Sequence, residues 1–168
     1  MASQFEGAFS VYRIVRAGLP AFDGSGAFRW GGRWTSPGRY VIHAVQSYSL
    51  AVLENMVHFN LGEIPPHLIV VQLRISAQVS REVLKADDLP GWDKPTPNPV
   101  SRKYGDSWYD AQRSAVLMVP SVLSPFECNV LIHQAHRDSR GIEVGEPIRA
   151  ALDARLTALV RGTNGRRS

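Results

Sequence analysis

One cysteine, three lysines and no long apolar run: this 168-residue chain is marked first by what it lacks. Cys128 alone cannot close an internal disulfide, which suits a reducing compartment. The longest apolar stretches, such as Leu68-Ile69-Val70-Val71, fall far short of the roughly 20 residues that a spanning helix needs. No charged segment followed by an apolar one opens the chain, so no secretory signal is expected and the cytoplasm is the expected location. Gly24-Ser25-Gly26 does not continue into a dinucleotide fingerprint, and no Gly-Lys-Ser/Thr exists, which removes the Rossmann and P-loop readings. His133 and His136 have only Cys128 near them, so no metal site is expected. A triad of Ser121, His136 and Asp138 lacks a nucleophile elbow and is weak as a hydrolase signature.

Positive charge is present but local. The formal net charge is +4, from 19 Lys and Arg against 15 Asp and Glu. Arg161, Arg166 and Arg167 sit in the last eight residues with no acid among them. Residues 13–39 hold Arg13, Arg16, Arg29, Arg33 and Arg39 against Asp23 alone. Remove both segments and the remainder is acidic. A uniformly basic nucleic-acid binder is therefore disfavoured, and an anion site near the N-terminus is favoured. Arg outnumbers Lys 16 to 3, which fits planar recognition of phosphate or carboxylate and equally fits a compositional bias.

With 44% hydrophobic and 20% charged residues, the chain reads as one globular domain over 1–160, with a flexible basic tail over 161–168. Residues 9–16 alternate and predict a strand, and 24–38 reads as an ordered Gly-rich loop pinned by aromatics. Strands are expected at 39–44, 68–75, 115–119 and 130–133, and a proline-rich loop at 90–99. The best helix is 47–61, with Leu50, Leu53, Val57 and Leu61 facing a core and Gly62 ending it. Further helices are expected over 101–113 and, from Ile148, Leu152, Leu156 and Leu159, over 146–160. Strands and helices interspersed make this an α+β fold.

Three features carry chemistry. In Phe28-Arg29-Trp30-Gly31-Gly32-Arg33-Trp34, guanidiniums alternate with aromatics around a Gly pair that admits a ligand close to the backbone. Glu54 borders the apolar face of its helix, and a carboxylate there needs a partner or a task. Ser121 ends an apolar strand, where sites collect side chains. An ordinary surface loop, a paired boundary Glu and a turn Ser explain each feature singly.

Together they resemble a family. Gly31-Gly32-Arg33-Trp34-Thr35-Ser36-Pro37-Gly38, Leu50-Ala51-Val52-Leu53-Glu54, Gly105-Asp106-x-Trp108, Leu117-Met118-Val119-Pro120-Ser121 and Asn129-x-Leu131 follow one another as in the RES domain, from about Val11 to Leu156. That domain is named for an Arg, a Glu and a Ser, matched here by Arg33, Glu54 and Ser121. The resemblance implies a fold similar to the ADP-ribosyltransferase toxins, with mixed β-sheets and flanking helices. It also implies a toxin that consumes NAD+ by hydrolysis, phosphorolysis or ADP-ribosyl transfer to a protein. The implied partner is an Xre-type helix-turn-helix antitoxin that blocks the active site, alongside a possible protein acceptor. Neither a membrane nor a directly bound nucleic acid is implied.

Cleaving the nicotinamide–ribose bond builds an oxocarbenium-like cation, so it needs cations at the phosphates and an anion near the ribose. The resemblance gives Arg33 to phosphate or ribose, Glu54 to a ribose hydroxyl and the developing cation, and Ser121 to the nicotinamide end or the pocket wall. Tyr12, Arg13, Arg29 and Trp30 are further binding candidates. Where many relatives have Tyr eleven residues before the Glu, this chain has His43, a catalytic candidate that would favour transfer over hydrolysis. A non-catalytic module holding RNA or a nucleotide on the Arg-aromatic loop is the competing class.

Overall fold

A computed structural model describes residues 5–58, 67–156 and 158. Its strands are β1 (Phe9–Arg16), β2 (Val41–Val45), β3 (Leu68–Ile75), β4 (Arg81–Val83), β5 (Val116–Pro120), β6 (Cys128–His133), β7 (Ile142–Val144) and β8 (Ile148–Arg149). The helices are α1 (Ser25–Trp30), α2 (Tyr48–His58) and α3 (Pro99–Asp110). They form one α+β unit around a mixed sheet ordered β4-β5-β6-β2-β1-β3-β7, with β8 also on β3. Among the described strands, only β4 and β5 run parallel.

The middle of that sheet is where it gives way. β1 pairs with β3 along its whole length, from Phe9 opposite Ile75 to Arg16 opposite Leu68. β2 pairs fully with β6, from Val41 opposite His133 to Val45 opposite Asn129. Between β1 and β2, however, the only register partners are Tyr12 and Val45. Beyond that pair the strands diverge, leaving a cleft flanked by Arg13 to Val15 on one side and His43 to Val45 on the other. Val11, Leu73 and Ile75 from one half meet Ile42, Met118 and Ile132 from the other in a shared core. Burial of these apolar side chains holds the halves together where the hydrogen-bond ladder does not.

Helices close the remaining faces. Ser47 starts α2 by accepting the Leu50 amide at 3.1 Å. Leu50 and Ala51 then pack against Ile14, Val45, Leu68 and Val70. Asn98 caps α3, accepting from Val100 N at 3.0 Å and Ser101 N at 3.4 Å, with Pro99 in the first turn. Gly105 lets α3 press on the 31–39 segment so closely that a Cβ there would lie 1.8 Å from the Trp34 carbonyl oxygen. Asp106 on the same turn accepts from Ser36 N at 2.8 Å and Ser36 Oγ at 2.7 Å. The Gly105-Asp106 motif is thus a joint between helix and loop.

Three expectations are corrected. The Gly-rich stretch is not all loop: Asp23 accepts from the Ser25 amide at 3.0 Å and its hydroxyl at 2.5 Å. These bonds start the short helix α1, and Gly31, at φ +65°, ends it. On α2, Leu53 is 40% and Val57 60% exposed. Periodicity grouped them with Leu50, but the core-facing side runs through Leu50 and Ala51, while Val57 borders a cavity. Among the described residues of 146–160 there is no long helix. Ile148 and Arg149 pair with Val70 and Ile69, because backbone groups along the β3 edge take partners before a weak local helix forms. Ile148 is 63% exposed, and among the described residues of this stretch helix remains at 154–156 and 158. The expected helix end at Leu61 and Gly62 and the 161–168 tail lie outside the described residues.

Candidate active site

Two cavities flank Glu54. The smaller, about 250 Å³, opens in the β1–β2 cleft and is lined by Tyr12, Arg13, Val45 and Asn55 among others. The larger, about 500 Å³, lies towards the Gly-rich segment and is lined by Gly32, Arg33, Trp34, Thr96, Val57 and Val122 among others. His43, Glu54 and Asn129 border both. Chain segments far apart in sequence supply this shared wall: His43 from β2, Glu54 from α2, Asn129 from β6.

At the wall, Glu54 Oε1 accepts from Asn129 Nδ2 at 2.9 Å and from Ser121 Oγ at 3.4 Å. Among the described residues no Lys or Arg forms an ion pair with it. Its charge is held by neutral donors, so it remains available to a positive group entering either cavity. His43 stands against Gly32, where a Cβ would lie 3.1 Å from the imidazole Cε1. Gly32 therefore makes room for the imidazole at the edge of the larger cavity.

Each cavity has one arginine. Half-buried Arg13 donates from Nη1 to the Asp23 carbonyl oxygen at 3.0 Å. Burial lowers its pKa, an effect the Asp23 carboxylate partly offsets. Arg33 uses Nη1 on the carbonyl oxygens of Lys94 at 2.6 Å and Trp92 at 3.3 Å, while Trp92 stacks on Trp34 at 5.9 Å between ring centroids. Arg33 thus both lines the larger cavity and ties down the wall formed by the 90–98 loop.

The RES domain profile matches residues 10–153. The chain belongs to the RES domain family. It is 39% identical over 137 residues to the "Prs ADP-ribosylating toxin" of Sphingobium sp. (strain YBL2), covering 80% of this chain and 85% of the relative. It is 31% identical over 150 residues to "Toxin Res" of Photorhabdus laumondii subsp. laumondii, covering 87% of this chain and 96% of the relative. A chain of the solved M. tuberculosis MbcT–MbcA toxin–antitoxin complex has the same fold, with a TM-score of 0.63 at 17% identity. That match covers 94% of this chain and 91% of the other.

In this RES domain the three positions that the resemblance singles out fall into different places. Glu54 and Ser121 touch, and Arg33 lines the larger cavity with Glu54. Ser121 is 3% exposed and lines neither cavity. Tyr12, Arg13 and His43 are brought to the site. Arg29 and Trp30 are not: they line neither cavity, and Trp30 is 80% exposed. Asn129 is the residue whose role sequence reasoning missed. Its signal was a lone amide inside the apolar run from Cys128 to Ile132.

The remaining histidines of the sequence reading make a packing cluster. Buried His133 stacks on Tyr109 at 3.9 Å and meets the His136 ring at 5.8 Å. Burial, reinforced by the neighbouring His136 charge, pushes His133 below the usual histidine range. As pH falls through about 6.5, the unfolded chain binds a proton there that the folded one refuses. Stability present above that pH is therefore lost below it. Thermal unfolding should show a falling Tm between pH 7 and 5.5, with a shallower decline in His133→Phe. A flat wild-type profile counts against this assignment.

Proposed function

We propose that this RES domain is the toxin of a toxin–antitoxin pair and that it breaks the nicotinamide–ribose bond of NAD+, arresting growth. The observation that carries this reading is Glu54, which forms no ion pair with Lys or Arg among the described residues, on the wall between two cavities that are each lined by one arginine. This fits a substrate with an anionic pyrophosphate and a reacting centre that becomes positive.

Nicotinamide departs from NAD+ as a neutral molecule, because the ring is already cationic in the substrate. No general acid is needed for its departure. Charge develops instead at the ribose, where a preorganised carboxylate in a partly dry site is most effective. Glu54 stabilises that charge and takes a ribose hydroxyl on Oε2, while Arg33 and Arg13 hold phosphate oxygens. His43, at the same wall, orients or deprotonates the acceptor.

The acceptor is water, phosphate or a protein side chain. The name of the Sphingobium relative, an ADP-ribosylating toxin, supports the last as a second reading, in which one bacterial metabolic protein is modified. The partner in this proposal is an Xre-type helix-turn-helix antitoxin. It covers the site with an acidic C-terminal segment facing Arg33 and Arg29, and both proteins work in the cytoplasm. Incubating the purified protein with labelled NAD+, with and without cell extract and with the antitoxin added, tests the set. Nicotinamide release without extract indicates hydrolysis or phosphorolysis, and a labelled protein band in extract indicates transfer. Antitoxin should suppress either. No release under any condition rejects the enzyme reading in favour of a binding module.

A further inference from the structure

Ser121 stands where a substrate-binding serine was expected, yet it reaches no cavity. Its hydroxyl is otherwise occupied. Oγ accepts the Leu123 amide at 3.1 Å, inside the turn that follows β5, and its proton is directed to Glu54 Oε1. Asn129, the second residue of β6 on the other side of the same hairpin, donates to that oxygen too. Ser121 N bonds the Glu127 carbonyl oxygen at 3.2 Å, which ties the base of the turn. The Glu127 side chain in turn accepts from Ser47 Oγ, the residue that starts α2. Hairpin and helix are therefore latched at two points, one at the head of α2 and one at Glu54.

We infer that Ser121 and Asn129 are positioning residues that act on the reaction through Glu54. Together they grip Oε1, so that Oε2 alone is presented to the substrate. The grip also fixes Asn129. Turning its amide over would set oxygen against oxygen at 2.9 Å, so Nδ2 stays on Glu54 and Oδ1 points away. Oδ1 is buried and has no hydrogen-bond partner among the described residues. This inference rests on the NAD+ reading above and deepens it.

The test is steady-state nicotinamide release across NAD+ concentrations, with extract present, for wild type, Ser121→Ala, Ser121→Thr and Asn129→Asp. Thermal unfolding confirms that each variant is folded. A residue that only aims Glu54 contributes mainly in the transition state, so its loss lowers kcat and spares KM. Ser121→Ala should lower kcat about 10-fold with KM within about twofold, and Ser121→Thr, which keeps the hydroxyl, should restore most of it. Asn129→Asp, which sets a second carboxylate against Glu54, should lower kcat by about 100-fold. A rise in KM at constant kcat, an unchanged rate in Ser121→Ala, or a threonine as poor as alanine overturns the clamp alone. A wild type that releases no nicotinamide overturns the NAD+ reading and takes the inference with it.

Discussion

Glu54→Gln should lower nicotinamide release by roughly 10² to 10³-fold while leaving the fold nearly unchanged. The substitution is almost isosteric, and the neighbourhood can absorb it. The glutamine oxygen can take the Oε1 position and keep both bonds, from Asn129 and from Ser121. What changes is the other terminal atom, where an amide donor replaces an anionic oxygen. An oxocarbenium-like ribose forming beside it loses its counter-charge and meets a partial positive charge instead. Because this effect exists only in the transition state, it should fall on kcat. Growth arrest on expression should disappear in parallel. A variant retaining more than a tenth of wild-type turnover would remove Glu54 from the chemistry. Full biological activity without any turnover would point to the non-catalytic module.

The second large effect is structural. Gly105→Ala places a methyl 1.8 Å from the Trp34 carbonyl oxygen and 2.9 Å from its carbon. Both are backbone atoms, so no side-chain rotation relieves the clash. Alanine gains about 1 kcal/mol of helix propensity over glycine, but forced separation of α3 from the loop outweighs it, by about 3 kcal/mol. For a domain of this size that corresponds to a Tm lower by about 6–12 °C. The loss should reach the site as well, since the displaced segment also carries Gly32 and Arg33 of the larger cavity. KM for NAD+ should rise even at temperatures where the variant is folded. Gly26→Ala is the matched control. A Cβ at Gly26, within α1, meets nothing within 4 Å, so its Tm should stay at or slightly above wild type. Equal stability of the two variants would contradict the close approach of α3.

Much of the framework is legible without coordinates. β1 and β3 fall on 9–16 and 68–75 as their patterns predict, because alternating and uninterrupted apolar runs are local signals. α2 starts where Ser47 announces it. The motifs of the RES resemblance come together in space: Glu54 and Ser121 are in contact, and Arg33 lines a cavity that Glu54 also borders. What those residues do was much less legible. Ser121 and Asn129 meet Glu54 across 67 and 75 residues of chain, and nothing in their local sequence reports that contact. Leu53 and Val57 obey helical periodicity yet face outward or border a cavity. Periodicity records that a face is apolar, not what covers it.

The arginine-rich segment shows the same division. By itself the sequence established that residues 13–39 concentrate positive charge, and that a local anion site suits the chain better than a broad polyanion surface. Tertiary structure decided which of those charges are available. Arg39 is neutralised by Asp106 at 3.2 Å and Asp110 at 2.5 Å, both on α3. Arg29 is left outside both cavities, while Arg13 and Arg33 each take a place in one. Charge adds along the chain irrespective of shape, but hydrogen bonds act over about 3 Å and screened Coulomb forces over about 10 Å between atoms. Only the packing of α3 on the loop, and the splaying of β1 from β2, bring the relevant atoms within that reach.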